Sequence, residues 1–202
     1  MTTRTILQFA LTALVFCSTA DAGKFNKQLS VGDAAPAWEK LPGVDGKTYS
    51  LADFKDAHAV VIIFTCNHCP VAQACEDRFK QLASDFKDRK VAVVAISVSR
   101  FPQDDFEKMK QHAKDRGFNF PYVQDRSQEI GRKYGATNTP QVFVLNAERK
   151  IAYMGAFDDN WEDASEVKEP YTRLAVEAVL AGKTPEVRET RQLGCTIEYA
   201  AQ

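Results

Sequence analysis

The sequence predicts an α/β domain with a central mixed β-sheet flanked by helices, preceded by a short β extension. Three patterns carry that expectation. Two almost continuously apolar runs rich in Val and Ile, residues 59–65 and 91–98, read as strands buried on both faces. An amphipathic helix pattern over residues 70–87 lies between them, so the two strands are parallel and joined by a right-handed crossover. A later pair of runs, 141–145 and 150–154, flanks the turn Asn146-Ala147-Glu148-Arg149 and adds an antiparallel hairpin to the parallel unit. The chain has 202 residues, enough for one domain with a well-buried core.

Residues 1–22 read as a cleaved secretory signal. Arg4 precedes an apolar stretch from Ile6 to Phe16 that is too short to span a bilayer, and Ala20-Asp21-Ala22 offers small residues for cleavage before Gly23. Export to the periplasm or medium follows, and residues 23–202 form the single mature domain. Val31-Gly32-Asp33-Ala34-Ala35-Pro36 is an extended lead-in. Gly43-Val44-Asp45-Gly46 turns between two short extended pieces, because Asp-Gly readily takes positive φ. Residues 50–54 suggest one helical turn.

After the first buried strand, Pro70 suits the opening of a helix, where its missing N–H costs nothing. A second helix is expected from Asp104 to Arg116, stopped by Gly117. Residues 122–124 suggest a short strand. Asp125 and Gln128 resemble a capping pair for a helix through Tyr134. Thr139-Pro140 leads into the hairpin. A last helix spans 170–181 and closes at Gly182, before the tail Gln192-Leu193-Gly194-Cys195-Thr196-Ile197.

Composition narrows the function. With 45% hydrophobic and 26% charged residues the chain is globular, and its net charge of −1 suggests no nucleic-acid partner and no binding to a membrane surface. Cys17 leaves with the signal. The remaining Cys66, Cys69, Cys75 and Cys195 are too few for a disulfide-stapled scaffold.

Cys66 and Cys69 stand at Cys-x-x-Cys spacing, after a buried strand and before a helix. Two thiols so placed close into a disulfide and reopen, and the helix start stabilises a thiolate. Cys66 is expected to face solvent as the low-pKa attacking thiol, with Cys69 more buried and resolving the mixed disulfide. His68 is expected to bring its ring near the Cys66 sulfur, favouring the thiolate and a more oxidising couple. The alternatives for the pair are a static disulfide or half a zinc site, but no second pair of ligands stands at suitable spacing. No cofactor and no metal are expected.

Cys75 shares a stripe with Phe79, Leu82 and Phe86 and reads as a small core residue. Cys195 is either an accessory thiol brought back by the tail or a plain buried cysteine. Pro140 is either a trans proline opening an edge strand or a cis proline that turns the Thr139 backbone toward a substrate peptide. His58 and His112 read as surface residues. Glu76, Asp77 and Arg78 read as a solvated helix face, from which one group could carry protons for Cys69.

Taken together, Val31-Gly32-Asp33-x-x-Pro36, Asp45-Gly46-Lys47, Phe64-Thr65-Cys66-Asn67-His68-Cys69-Pro70, Thr139-Pro140 and Gly194-Cys195-Thr196-Ile197 resemble the thioredoxin-like superfamily. Within it they resemble the redoxin branch related to alkyl hydroperoxide reductases and thiol-specific antioxidant proteins. The resemblance covers nearly the whole mature chain. It implies a thioredoxin fold with extra N-terminal strands, Cys66 as nucleophile, Cys69 as resolver and Pro140 in cis. Three features depart from the pattern: the segment before the motif lacks the aromatic-rich Trp-Cys approach of thioredoxin, the buried acid that thioredoxin places before its cysteines has no counterpart in the apolar residues 60–64, and Ile63 stands where the peroxidatic signature has Thr.

The resulting expectation is an exported thiol-disulfide oxidoreductase. It acts on protein or small-molecule disulfides and thiols, and a redox partner recycles it. The alternatives are a thiol peroxidase and a Cu(I)-delivery protein, since two thiolates suit a soft cation.

Overall fold

The computed structural model describes residues 23–201. The expected signal, with Cys17, lies outside the described residues. The N-terminal extension is an antiparallel ribbon of β1 (Leu41–Pro42) and β2 (Thr48–Tyr49), with Leu41 opposite Tyr49. Gly46 turns it at φ +83°, a left-handed backbone that a side chain would strain. A short 3-10 turn, Leu51–Phe54, leads to β3 (Ala59–Phe64). Then follow α1 (Pro70–Phe86), β4 (Val91–Ser97), α2 (Phe106–Arg116), β5 (Tyr122–Gln124), α3 (Glu129–Tyr134) and β6 (Asn138–Thr139). The chain continues through β7 (Gln141–Leu145), β8 (Ile151–Gly155), α4 (Tyr171–Leu180) and β9 (Cys195–Thr196).

The main sheet has the order β5-β4-β3-β7-β8. β3 is parallel to β4, and β4 to β5, while β7 runs antiparallel to both β3 and β8. The sheet is therefore mixed, as the run of apolar strands and the hairpin predict. Period-two alternation sorts β3 between two cores. Val61 and Ile63 pack with Phe79 and Leu82 of α1, Met109 of α2 and Val176 of α4. Val60, Ile62 and Phe64 pack on the other face with Ile130 and Tyr134 of α3 and with Trp38 from the lead-in. Every side chain of β3 is fully enclosed. Each large one contributes roughly 1.5–3 kcal/mol as an upper range, which fixes where the strand stops and the next residues begin.

Two helix starts differ from expectation. α2 begins at Phe106 because Asp105, not Asp104, is its cap: the Asp105 carboxylate accepts the Lys108 N–H at 2.9 Å. Asp104 closes a short 3-10 turn, Pro102–Asp104, and points inward. At α3 the Asp125 carboxylate accepts the Ile130 N–H at 2.8 Å, while Gln128 is turned to the C-terminal tail and donates to the Val98 and Glu198 carbonyls.

That tail is part of the fold. β9 pairs antiparallel with β6, placing Cys195 opposite Thr139. Beyond it the Ile197 N–H donates to the Thr137 carbonyl at 2.8 Å and the Tyr199 hydroxyl to the Ala136 carbonyl at 2.7 Å.

Candidate active site

The site forms where β3 ends and α1 begins. The Thr65 N–H still donates to the Ile96 carbonyl at 3.0 Å, so the parallel ladder reaches one residue past β3 and delivers Cys66 at the sheet's carboxyl end. Cys69 is the N-cap of α1. Its sulfur accepts the Ala72 N–H at 3.4 Å, and Pro70 follows with no N–H to satisfy. Both thiols are free and hydrogen-bonded to each other. Thr139 meets both: its hydroxyl lies 3.4 Å from the Cys66 sulfur, and its carbonyl accepts from the Cys69 thiol at 3.0 Å. The Thr139–Pro140 peptide is cis.

Cys66 is 3% exposed and Cys69 fully buried, so Cys66 does not face solvent as the motif alone suggests. It lines a cavity of about 20 Å³ whose walls include His68, Phe101, Thr139 and Ile197. Phe101 sits edge-on to the His68 ring at 4.9 Å, and the tail residues Thr196 to Glu198 close the far side. Neither cover was legible in the Cys-x-x-Cys segment itself.

The polarity of the pair also differs from expectation. Donation from the Cys66 thiol holds the Cys69 thiol below its ordinary value, opposed by burial and helped by Cys195 and the Ala72 N–H. The same bond pushes Cys66 up, burial adds to it, and the Asp104 carboxylate pushes the same way against the Thr139 hydroxyl. Cys69, at the helix N-terminus, is therefore the more acidic thiol of the reduced pair, and Cys66 donates to it.

Asp104 is the functional residue that sequence reasoning missed. It is fully buried. Its Oδ1 accepts the Asn67 N–H at 2.7 Å and the His68 N–H at 3.2 Å, and its Oδ2 holds the Ser99 hydroxyl at 2.6 Å and His68 Nδ1 at 2.5 Å. Thus a buried acid does serve this pair, but it comes from the turn after β4 and not from the strand before the cysteines. The available signal was the tandem Asp104-Asp105: one helix start uses one capping acid, which leaves the other to find its own partners. The structure places His68 near Cys66 with its Nδ1 engaged by Asp104, and Cys66 is pushed up rather than held as the favoured thiolate.

Cys66, His68 and Asp104 each bring one donor atom within 4.8 Å of the others, the sole such group among the described residues. The set is sized for a cation. However, the His68 and Asp104 donor atoms are engaged with each other at 2.5 Å, so the arrangement is a hydrogen-bonded histidine–carboxylate pair lying within 4.8 Å of the Cys66 thiol.

Cys195 is brought in as well. It packs against the cluster of Cys66, Cys69 and Ala72, and its thiol hydrogen-bonds Cys69, while burial pushes its own pKa up to about 11. The Thr139 edge expected to receive a substrate peptide is already paired with this strand.

Cys75 stays outside the site, as its stripe predicts. It is 1% exposed, and burial pushes its thiol up to about 12. The expected solvated face of α1 is partly buried. Glu76 is 3% exposed and bonds His112 Nε2 at 2.5 Å and Arg116 Nε at 3.2 Å, so His112 is an internal partner and not a solvated residue. Arg78 pairs with the buried Asp158 at 2.5 Å. The helix pattern missed both because α2 and the segment after β8 close over α1. Asp77 and His58 are exposed.

Comparison with known proteins decides the family. The redoxin family model matches residues 30–170, more than half of the chain. The protein belongs to the redoxin family. A candidate peroxiredoxin of Mycobacterium tuberculosis is 31% identical over 135 residues, covering 66% of this redoxin and 81% of that protein. The thiol-disulfide oxidoreductase ResA of Oceanobacillus iheyensis is 25% identical over 150 residues, covering 72% and 75%. Among solved structures, a hypothetical protein of Sinorhizobium meliloti superposes with a TM-score of 0.81 at 32% identity, covering 88% of this chain and 98% of that one. A thioredoxin-family thiol:disulfide interchange protein of Chlorobium tepidum matches with a TM-score of 0.60 at 21% identity, covering 75% and 98%, and supports the thioredoxin-like fold. At a coarse level these relatives support redox enzyme activity for this redoxin.

Proposed function

We propose that this redoxin is an exported thiol-disulfide oxidoreductase whose redox pair is Cys66 and Cys69. The observation that carries the reading is two free, mutually hydrogen-bonded thiols at a helix N-cap, one of them lining a cavity beside a half-buried histidine held by a buried carboxylate. Cys66, which borders the cavity, attacks one sulfur of a substrate disulfide. Its proton moves onto Cys69 within the hydrogen-bonded pair, and the substrate's second sulfur leaves as a thiolate. Cys69 then gives up that proton and attacks the Cys66 sulfur, releasing the second substrate thiol and closing a Cys66–Cys69 disulfide. Asp104 and His68 accept or return the proton at this stage, and an external dithiol or disulfide partner resets the pair.

Insulin disulfide reduction tests the reading. Cys66→Ser is expected to fall to the uncatalysed rate, and a Cys66→Ser protein as fast as wild type ends the proposal. Export is tested by the N-terminus of the protein recovered from outside the cytoplasm, expected at Gly23.

The candidate peroxiredoxin relative favours a second reading, thiol peroxidase. Here a Cys66 thiolate takes one peroxide oxygen to become a sulfenic acid, the remainder leaves as water or an alcohol, and Cys69 displaces water to form the disulfide. Peroxide consumption no faster than that of a free thiol rules this reading out.

A further inference from the structure

The mechanism above uses two thiols, yet three meet at the site. β9 lies along the Thr139 edge exactly one strand position away, with Thr139 opposite Cys195 and the Asn138 side chain donating to the Gly194 carbonyl at 3.0 Å. Cys195 packs, partly buried, against the cluster of Cys66, Cys69 and Ala72, and its thiol meets Cys69. Gly194 makes the approach feasible. A Cβ there would stand 2.0 Å from the Thr139 carbonyl oxygen, and the backbone holds φ +131°, a region that side chains avoid. The strand is anchored on both flanks: the Thr190 N–H donates to the Met154 carbonyl at 3.1 Å, and Ile197 and Tyr199 bond to the Ala136–Thr137 backbone. A segment so held presents its cysteine to Cys69 as a bound substrate strand would.

We infer that Cys195 is a third redox thiol, and that the oxidised protein exchanges its Cys66–Cys69 disulfide for a Cys69–Cys195 disulfide. The Cys195 sulfur attacks the Cys69 sulfur, the Cys66–Cys69 bond breaks, and the proton lost by Cys195 ends on Cys66. One disulfide replaces another, so no external oxidant or reductant is consumed. The exchange leaves Cys66 as a free thiol at the cavity while the tail is tied across Thr139. This inference rests on the proposed use of the Cys66–Cys69 pair.

The test is disulfide mapping by mass spectrometry after oxidised dithiothreitol, acid quench and alkylation, on wild type, Cys66→Ser and Gly194→Ala. In wild type, both Cys66–Cys69 and Cys69–Cys195 bridges are expected. Cys66→Ser is expected to form Cys69–Cys195 within the monomer. Gly194→Ala displaces the strand and is expected to lower the Cys69–Cys195 share at least about fivefold, while Cys66–Cys69 still forms. Wild-type protein that forms Cys66–Cys69 with no Cys69–Cys195 bridge, and a Cys66→Ser protein that forms none, overturn the inference and leave the proposed function standing. Wild-type protein that forms Cys69–Cys195 but never Cys66–Cys69 overturns the exchange and the two-thiol mechanism together. Should Cys66→Ser not fold, the wild-type and Gly194→Ala maps decide alone.

Discussion

A cysteine, a buried carboxylate and a histidine occur together at two places along α1, and the two places behave in opposite ways. At the helix start, Cys69 is paired with Cys66, and Asp104 holds His68 at 2.5 Å. A turn and a half later, Cys75 is followed by Glu76, which holds His112 at the same distance. Both cysteines are 1% exposed or less, so exposure does not separate them. What separates them is whether their donors outweigh burial. Cys69 receives a hydrogen bond from Cys66 and one from the free Ala72 N–H of the first turn, and its thiol is pulled down. Cys75 sits where the helix N–H groups are already spent on the ladder; Arg78 Nη2 donates to its sulfur at 3.3 Å, yet burial outweighs that bond and pushes the thiol up to about 12. The acids differ likewise. Glu76 is neutralised by Arg116 at 3.2 Å, whereas Asp104 is met by backbone N–H groups, Ser99 and His68, with no lysine or arginine ion pair among the described residues. One set is poised to move protons, and the other ties α1 to α2.

Substitutions break this comparison in graded ways. The largest effect falls on the thiols: Cys69→Ala is expected to reduce turnover of a disulfide substrate to the uncatalysed rate, while Cys75→Ala leaves it unchanged. Equal losses in the two variants would show that helix position does not set reactivity. Next come the acids. Asp104→Asn is expected to slow exchange by about 10²-fold and to alter the pH–rate profile, since a positioned proton carrier contributes on that scale. An Asp104→Asn protein with the wild-type profile removes the carboxylate from the mechanism.

Glu76→Gln is expected to leave the rate intact and to cost about 1–3 kcal/mol in denaturant unfolding, because His112 and Arg116 lose a buried charged partner. The smallest effect is alkaline. The folded Cys75 thiol ionises near 12, against about 9 for an ordinary thiol, so its contribution is complete below pH 9 and is lost as pH rises through 12. By pH 10 the loss is about 1.4 kcal/mol, and Cys75→Ala should flatten that part of the stability curve relative to wild type.

Local pattern was enough for much of this molecule. The apolar runs, the helix stripe through Cys75 and Phe79, and the Pro70 start are short-range features, and they yield the mixed sheet and the Cys66–Cys69 junction directly from residue order. Asp104 was hidden because a tandem acid before a helix reads as capping, and only the packing of the turn after β4 shows which carboxylate turns inward. Glu76 and His112 were hidden because a single helix's polar face cannot reveal that another helix covers it.

Residue order by itself determined that two thiols stand at a strand-to-helix junction, since spacing and periodicity are properties of neighbouring residues. Tertiary structure alone decided which acid lies beside the pair and that Cys195 joins it. Those depend on donors and covers drawn from segments between 35 and 130 residues away along the chain. Electrostatics in a buried site follow distance in space, and the sequence records only distance along the backbone.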